Sequence, residues 1–132
     1  MDIDDLLKKW LQGHSEIELA MLFGSYAKGT ATKSSDVDIA LQLPDGGVIC
    51  AEKKMEYLSQ LSLIANTMVD IVDLRSVGQP LLAQIMKYGK CLTGSKEVFS
   101  QLAVRNVNST EDFTPNIERM LKERRVRWLA NG

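Results

Sequence analysis

Asp36 and Asp38 stand one residue apart in the run "DVDIALQL", two acids at the start of an otherwise apolar segment. In a strand, alternate side chains share a face. The two carboxylates would therefore point the same way, about 7 Å apart along the chain, while Val37 and Ile39 turn into the core. Two like charges near ~5 Å repel by roughly 3 kcal/mol at an effective dielectric of about 20, so such a pair either raises a carboxyl pKa or collects cations. Alone, the pattern reads equally well as the solvated face of a half-exposed strand. The residues ahead of it change the balance. Gly24 and Ser25 end the dense apolar run "EIELAMLF". A glycine there lets the backbone approach a ligand closely, and a serine at a helix start offers its hydroxyl and free N–H groups to phosphate oxygens. Gly24 and Gly29 have the G-x-x-x-x-G spacing of a P-loop, but Thr30 and Ala31 stand where Lys and Ser/Thr are required. The remaining reading is a phosphate cradle at one strand end, followed by two metal-collecting carboxylates on the next strand. That combination serves phosphoryl-transfer chemistry, with Mg2+ bridging carboxylates and triphosphate oxygens.

Positioning these groups requires strands joined by tight connections. Ile3, Leu6, Leu7, Trp10 and Leu11 recur at helical spacing and Gly13 closes that helix. "EIELAMLF" predicts a buried strand, "DVDIALQL" a second one stopped by the turn signal "PDGG", and "AEKKMEYLSQLSLIAN" a helix. "MVDIVDL" predicts a third strand, and "QPLLAQIMKYGK" a helix with Pro80 in its first turn and Gly89 as its cap. A helical C-terminal part follows. The order implies an α/β fold with a small mixed sheet flanked by helices.

The whole chain bounds the function. Its 132 residues, 45% hydrophobic and 25% charged, suit one soluble globular domain, and a net charge of −1 provides no global basic field for nucleic acid. No direct nucleic-acid partner is expected. Cys50 and Cys91 form no C-x-x-C and fit reduced thiols. The start, "MDIDDLLKKWLQ", is acidic and amphipathic, so a leader peptide and a membrane span are not expected and a cytoplasmic protein is.

Gly24-Ser25, ten intervening residues and then Asp36-x-Asp38 resemble the G-S-x10-D-x-D signature of the DNA polymerase β-like nucleotidyltransferases. The length is similar to that of their minimal members, the MNT proteins. The resemblance implies a nucleotidyltransferase core over residues 1–95, with 96–132 as a helical C-terminal extension of the same domain. It implies nucleotidyl transfer through two metal ions, expected to be Mg2+, with ATP as substrate. Carried over by position, Gly24 and Ser25 would hold the β- and γ-phosphates, and Asp36 and Asp38 would bind both metals. Family members also use a third carboxylate from a neighbouring strand. Asp70 and Asp73 are available; their odd separation puts them on opposite faces. The family's V-D-hydrophobic-V pattern matches Val69 to Val72, which selects Asp70 as the third catalytic and metal-binding residue and leaves Asp73 to cap the next loop. The resemblance extends to antitoxins of HEPN–MNT toxin–antitoxin pairs, which adenylylate a tyrosine of a HEPN ribonuclease. A HEPN-family toxin is the partner so implied. Two alternatives are transfer to a small hydroxylated compound, as in aminoglycoside modification, and a non-catalytic antitoxin that acts by occlusion. Residues 96–132 leave little chain for a small-molecule acceptor domain.

The other conspicuous residues have plainer readings. Lys28, inside the signature, either approaches triphosphate or is a solvated lysine. His14, the only histidine, reads as a surface or capping residue just past Gly13. The six Met residues read as core packing. Ile117, Met120, Leu121, Arg124 and Trp128 fall at helical spacing on a basic stretch with Lys122, Arg125 and Arg127. That helix would either dock on the core or present a partner-binding or phosphate-facing surface.

Overall fold

The computed structural model describes residues 2–32, 34–110 and 127–128, with the backbone alone at 109–110 and 127–128. Among the described residues the elements follow in the order α1 (Ile3–Gln12), β1 (Leu19–Phe23), α2 (Ser25–Lys28), β2 (Val37–Gln42), α3 (Ala51–Ala65), β3 (Val69–Asp73), α4 (Leu81–Tyr88), β4 (Lys90–Thr93), α5 (Lys96–Thr110) and β5 (Arg127–Trp128). The strands form one sheet in the order β3-β2-β1-β4-β5. β1 runs antiparallel to both neighbours, β2 and β3 are parallel, and β4 and β5 are parallel. The sheet is therefore mixed, as the pattern of elements predicts.

Every residue of β1 is buried because helices cover both faces of the sheet. With a period of two, Ala20 and Leu22 join one core with Val37, Ile39, Leu41 and Ile71, covered by Leu7, Trp10 and Leu11 of α1 and by Tyr57 and Leu61 of α3. Leu19, Met21 and Phe23 join the other core with Ala40 and Cys91, covered by Leu82, Ile85 and Met86 of α4 and by Phe99, Leu102 and Ala103 of α5. Asp2 starts α1 by accepting the Asp5 N–H at 3.0 Å, and Gly13 closes it. Pro44 to Gly47 turn the chain after β2, with Asp45 and Gly46 at positive φ and the Gly47 N–H on the Pro44 carbonyl.

Three expectations need adjustment, and the capping reading of His14 holds. β4 lies where the sequence reading placed only the end of a helix. Met21 and Met86 are buried, but Met55 and Met68 are exposed rather than core. Arg127 and Trp128 extend the sheet alongside Lys90 and Cys91 instead of sitting on a helix; an open strand edge overrides a helical sequence pattern. The rest of the basic stretch, including Lys122, Arg124 and Arg125, lies outside the described residues. His14 is half-buried. Its ring stacks on Trp10 with centroids 4.0 Å apart, and Nδ1 donates to the Trp10 carbonyl at 2.8 Å, so it caps the end of α1.

The two thiols differ in environment. Cys50 is exposed, whereas Cys91 is buried and burial pushes its thiol up to about 12. An alkylating reagent at pH 8 should modify Cys50 and spare Cys91 in the native protein; rapid labelling of both without denaturant would contradict this packing. The unfolded thiol ionises near 9.0 and the folded one near 12, so Cys91 should make stability fall as pH rises above about 9.

Candidate functional site

The sheet brings the sequence motif together at the end of β1 and the starts of β2 and β3. β1 runs into Gly24, while its antiparallel partner β2 begins beside it, with Phe23 opposite Asp38. β2 and β3 are in parallel register with Asp38 beside Asp70. Adjacent strands lie roughly 4.8 Å apart, so these two carboxylates are direct neighbours. Val37 and Ile39 are fully buried on the α1–α3 face, which sends Asp38 to the α4–α5 face. Asp36 comes just before the first residue of β2 and is exposed. The loop that delivers it is held by the Thr32 N–H on Ser35 Oγ at 2.8 Å and by Thr67 Oγ1 on the Ser35 carbonyl at 3.3 Å.

Gly24 adopts φ 75 and ψ −153, a backbone region open essentially to glycine alone. A Cβ on Gly24 would lie 2.2 Å from Asp38 Oδ2 and 3.1 Å from its Cγ. The turn therefore passes directly over the central carboxylate. Ser25 opens the four-residue helix α2, which Gly29 closes in the left-handed region by donating its N–H to the Ser25 carbonyl. The Gly24–Ser25 turn and the acid pair thus face one another across β1 and β2, although ten residues separate them in the chain.

Asp38 has its pKa raised above the ordinary carboxylate value, first by burial and then by the negative charges of Asp70 and Asp36. Among the described residues no three carboxylate, imidazole or thiol groups form a ready cation cage. Mg2+ commonly takes only one or two protein carboxylates and completes its octahedron with water and substrate phosphates. Crowded carboxylates beneath a bare backbone turn fit an ion that arrives with a triphosphate. The donors are all oxygen, which suits a hard divalent cation.

The remaining candidates separate cleanly. Asp73, near the opposite end of the sheet, accepts the Ile49 N–H at 2.9 Å and the Arg75 N–H at 2.9 Å, so it organises loops. Lys28 is exposed, and its Nζ stands 4.7 Å from the centre of the Tyr88 ring. Lys87 Nζ lies 5.2 Å from the same ring. Tyr88 and Lys87 carry no motif, and sequence reasoning missed them. Among the described residues no helix is long and apolar enough to cross a membrane.

A family model described as polymerase beta, nucleotidyltransferase matches residues 5–98. The protein adenylyltransferase MntA of Shewanella oneidensis is 33% identical over 93 residues, a stretch covering 70% of this chain and 66% of that protein. A chain in the crystal structure of a toxin–antitoxin with AMP-PNP superposes with a TM-score of 0.73 and 30% identity, covering 82% of this chain and 86% of that one. Another match is a structure of tri-AMPylated Shewanella oneidensis HEPN toxin in complex with MNT antitoxin, with a TM-score of 0.67 and 27% identity over 83% of this chain and 84% of that one.

Proposed function

Since the chain belongs to the polymerase β nucleotidyltransferase family, we propose that it is a protein adenylyltransferase that moves AMP from ATP to a tyrosine hydroxyl of a HEPN-type toxin and thereby acts as its antitoxin. The observation that carries this reading is the contact between the Gly24 turn and Asp38, with Asp70 in register beside it. Those two features set a side-chain-free backbone turn against a carboxylate pair at one point. The likeness to MntA and to HEPN toxin complexes supports a protein as acceptor.

In this reaction the acceptor oxygen attacks the α-phosphorus, the bond from that phosphorus to the bridging oxygen breaks, and pyrophosphate leaves with the electron pair. The hydroxyl proton passes to a nearby base. Asp36 and Asp38 would hold two Mg2+ ions and Asp70 would join the ion on the acceptor side; when bound, the metal supplies charge neutralisation and lowers the cost of ionising the hydroxyl. Gly24 and Ser25 would receive the β- and γ-phosphates. Without cations, three aspartates would repel a triphosphate, so ATP binding at this site should require divalent metal. Incubation with ATP, Mg2+ and the HEPN partner should add adenylyl units to the partner by intact mass. Full neutralisation of an unmodified partner would replace this reading with occlusion.

The two candidates for the third carboxylate are distinguished by position. Asp70→Asn should lower the turnover number by an order of magnitude or more while leaving ATP affinity nearly unchanged. Asp73→Asn should leave turnover near that of the wild type and cost about 1–2 kcal/mol of stability, because it weakens two N–H contacts. Steady-state kinetics with parallel thermal melts separates them. The reverse ranking would show that Asp70 does not face the site.

A further inference from the structure

Of the three aspartates, Asp36 alone lies outside a strand. It is exposed as well, so neither burial nor a strand of its own sets where it stands. The chain on either side of it is held by the segment that leads into β3. Thr67 Oγ1 donates to the Ser35 carbonyl at 3.3 Å, and the Val37 N–H donates to the Met68 carbonyl at 2.9 Å. Asp36 is thus bracketed by hydrogen bonds to two consecutive residues, which come directly before Val69 and Asp70. α3 ends at Asn66 in the left-handed region, which turns the chain toward β3 and makes Thr67 the first residue past the cap. Ser35 is fixed from its own loop too: its N–H lies on the Thr32 carbonyl at 3.1 Å, and its Oγ accepts the Thr32 N–H at 2.8 Å. The Val37 bond belongs to the backbone pairing of β2 with β3, so it asks nothing of the side chains. The Thr67 bond depends on a hydroxyl.

We propose that Thr67 is a positioning residue for the metal centre: through the Ser35 carbonyl, its hydroxyl fixes Asp36 relative to Asp70 so that both can serve one divalent cation. The inference rests on the adenylyl-transfer reading, in which these aspartates hold the metal. The bond ties together two carboxylate-bearing segments whose anchoring residues are 32 positions apart in the chain. Threonine suits the task. Branching at Cβ leaves χ1 few choices, so the backbone just past the α3 cap aims the hydroxyl with little further support. Serine carries the same donor with more freedom, and valine keeps the shape without the donor. Thr67 acts on the cation only through Asp36. It is not itself a catalytic residue.

The test compares Thr67→Val, which loses the donor, with Thr67→Ser, which keeps it. Gln60→Leu is the control for stability alone, because Gln60 accepts the Trp10 indole N–H at 2.9 Å on the α1–α3 side of the sheet, opposite the face that carries Asp38. Mn2+, which shares the preference of Mg2+ for oxygen ligands, is titrated by electron paramagnetic resonance with an unreactive ATP analogue present. Thr67→Val should weaken Mn2+ binding about fivefold, the scale of one net hydrogen bond, and Thr67→Ser should return it to within about twofold of the wild type. Gln60→Leu should lower the melting temperature and leave Mn2+ affinity unchanged. In transfer assays the Mg2+ concentration at half-maximal rate should rise in Thr67→Val in step with the loss of Mn2+ affinity. Wild-type Mn2+ affinity in Thr67→Val, or an equal loss in Thr67→Ser, would overturn the positioning role. So would an equal loss in Gln60→Leu, which would make the effect one of general stability. If the wild type transfers no AMP to the HEPN-type partner yet Mn2+ affinity follows the Thr67 hydroxyl, the positioning role stands and the proposed reaction falls.

Discussion

Asp38→Asn is expected to cut AMP transfer by on the order of 10³-fold while making the metal-free protein more stable. Both effects come from one crowded carboxylate. Asp38 lies between Asp70 and Asp36 and beneath the Gly24 turn, and burial with those charges raises its pKa. A carboxyl whose folded pKa exceeds its unfolded value makes stability fall as pH rises from the ordinary value of 3.8 through the folded one. The amide has no such ionisation. Its advantage in thermal melts should therefore be full near neutral pH and should shrink as the pH drops toward and below 3.8. Divalent metal reverses the ranking, because only the wild type can recover the repulsion by binding the ion. Lower stability of Asp38→Asn at pH 7 without metal would show that the carboxylate is held by favourable contacts instead.

Gly24→Ala should be almost as damaging to transfer and far worse for the fold. The new methyl would stand 2.2 Å from Asp38 Oδ2, and the backbone at φ 75 and ψ −153 is strained for any side chain. A loss of about 1–3 kcal/mol is expected from backbone strain and overpacking together, with transfer down by roughly 10²-fold as the carboxylate is displaced. The double variant Gly24→Ala with Asp38→Ala isolates the clash. Removing the carboxylate should return part of the stability but none of the activity, and additive losses in that cycle would exclude a direct contact between the two positions.

The turn and the acid pair were legible in the sequence because their chemistry restricts residue type locally. Gly24 must lack a side chain, Asp36 and Asp38 must alternate with Val37 and Ile39, and both constraints are written within twenty residues. The period of a strand put Asp70 and Asp73 on opposite faces, the family's V-D-hydrophobic-V pattern chose Asp70, and the register sets it beside Asp38. β4 was hidden because "KCLT" is short, carries no strict alternation and follows the helix cap Gly89 without a turn signal. Its strand character comes from pairing with β1, which no local pattern records. The Lys28, Lys87 and Tyr88 cluster was missed because Lys28 and Tyr88 stand sixty positions apart in the chain and meet only in the fold. Trp128 shows the opposite case, where a convincing helical spacing gives way to an open sheet edge.

The central claim is that Asp36, Asp38 and Asp70 direct attack at the α-phosphorus, with pyrophosphate as the leaving group. The most direct measurement is a pair of parallel reactions of the protein, Mg2+ and the HEPN-type partner with ATP labelled at either the α- or the γ-phosphate. The account predicts that α-label becomes bound to the partner, that γ-label is released as pyrophosphate, and that Asp38→Asn does neither. Transfer of γ-label to the partner, or full silencing of the partner with neither label attached, would contradict it.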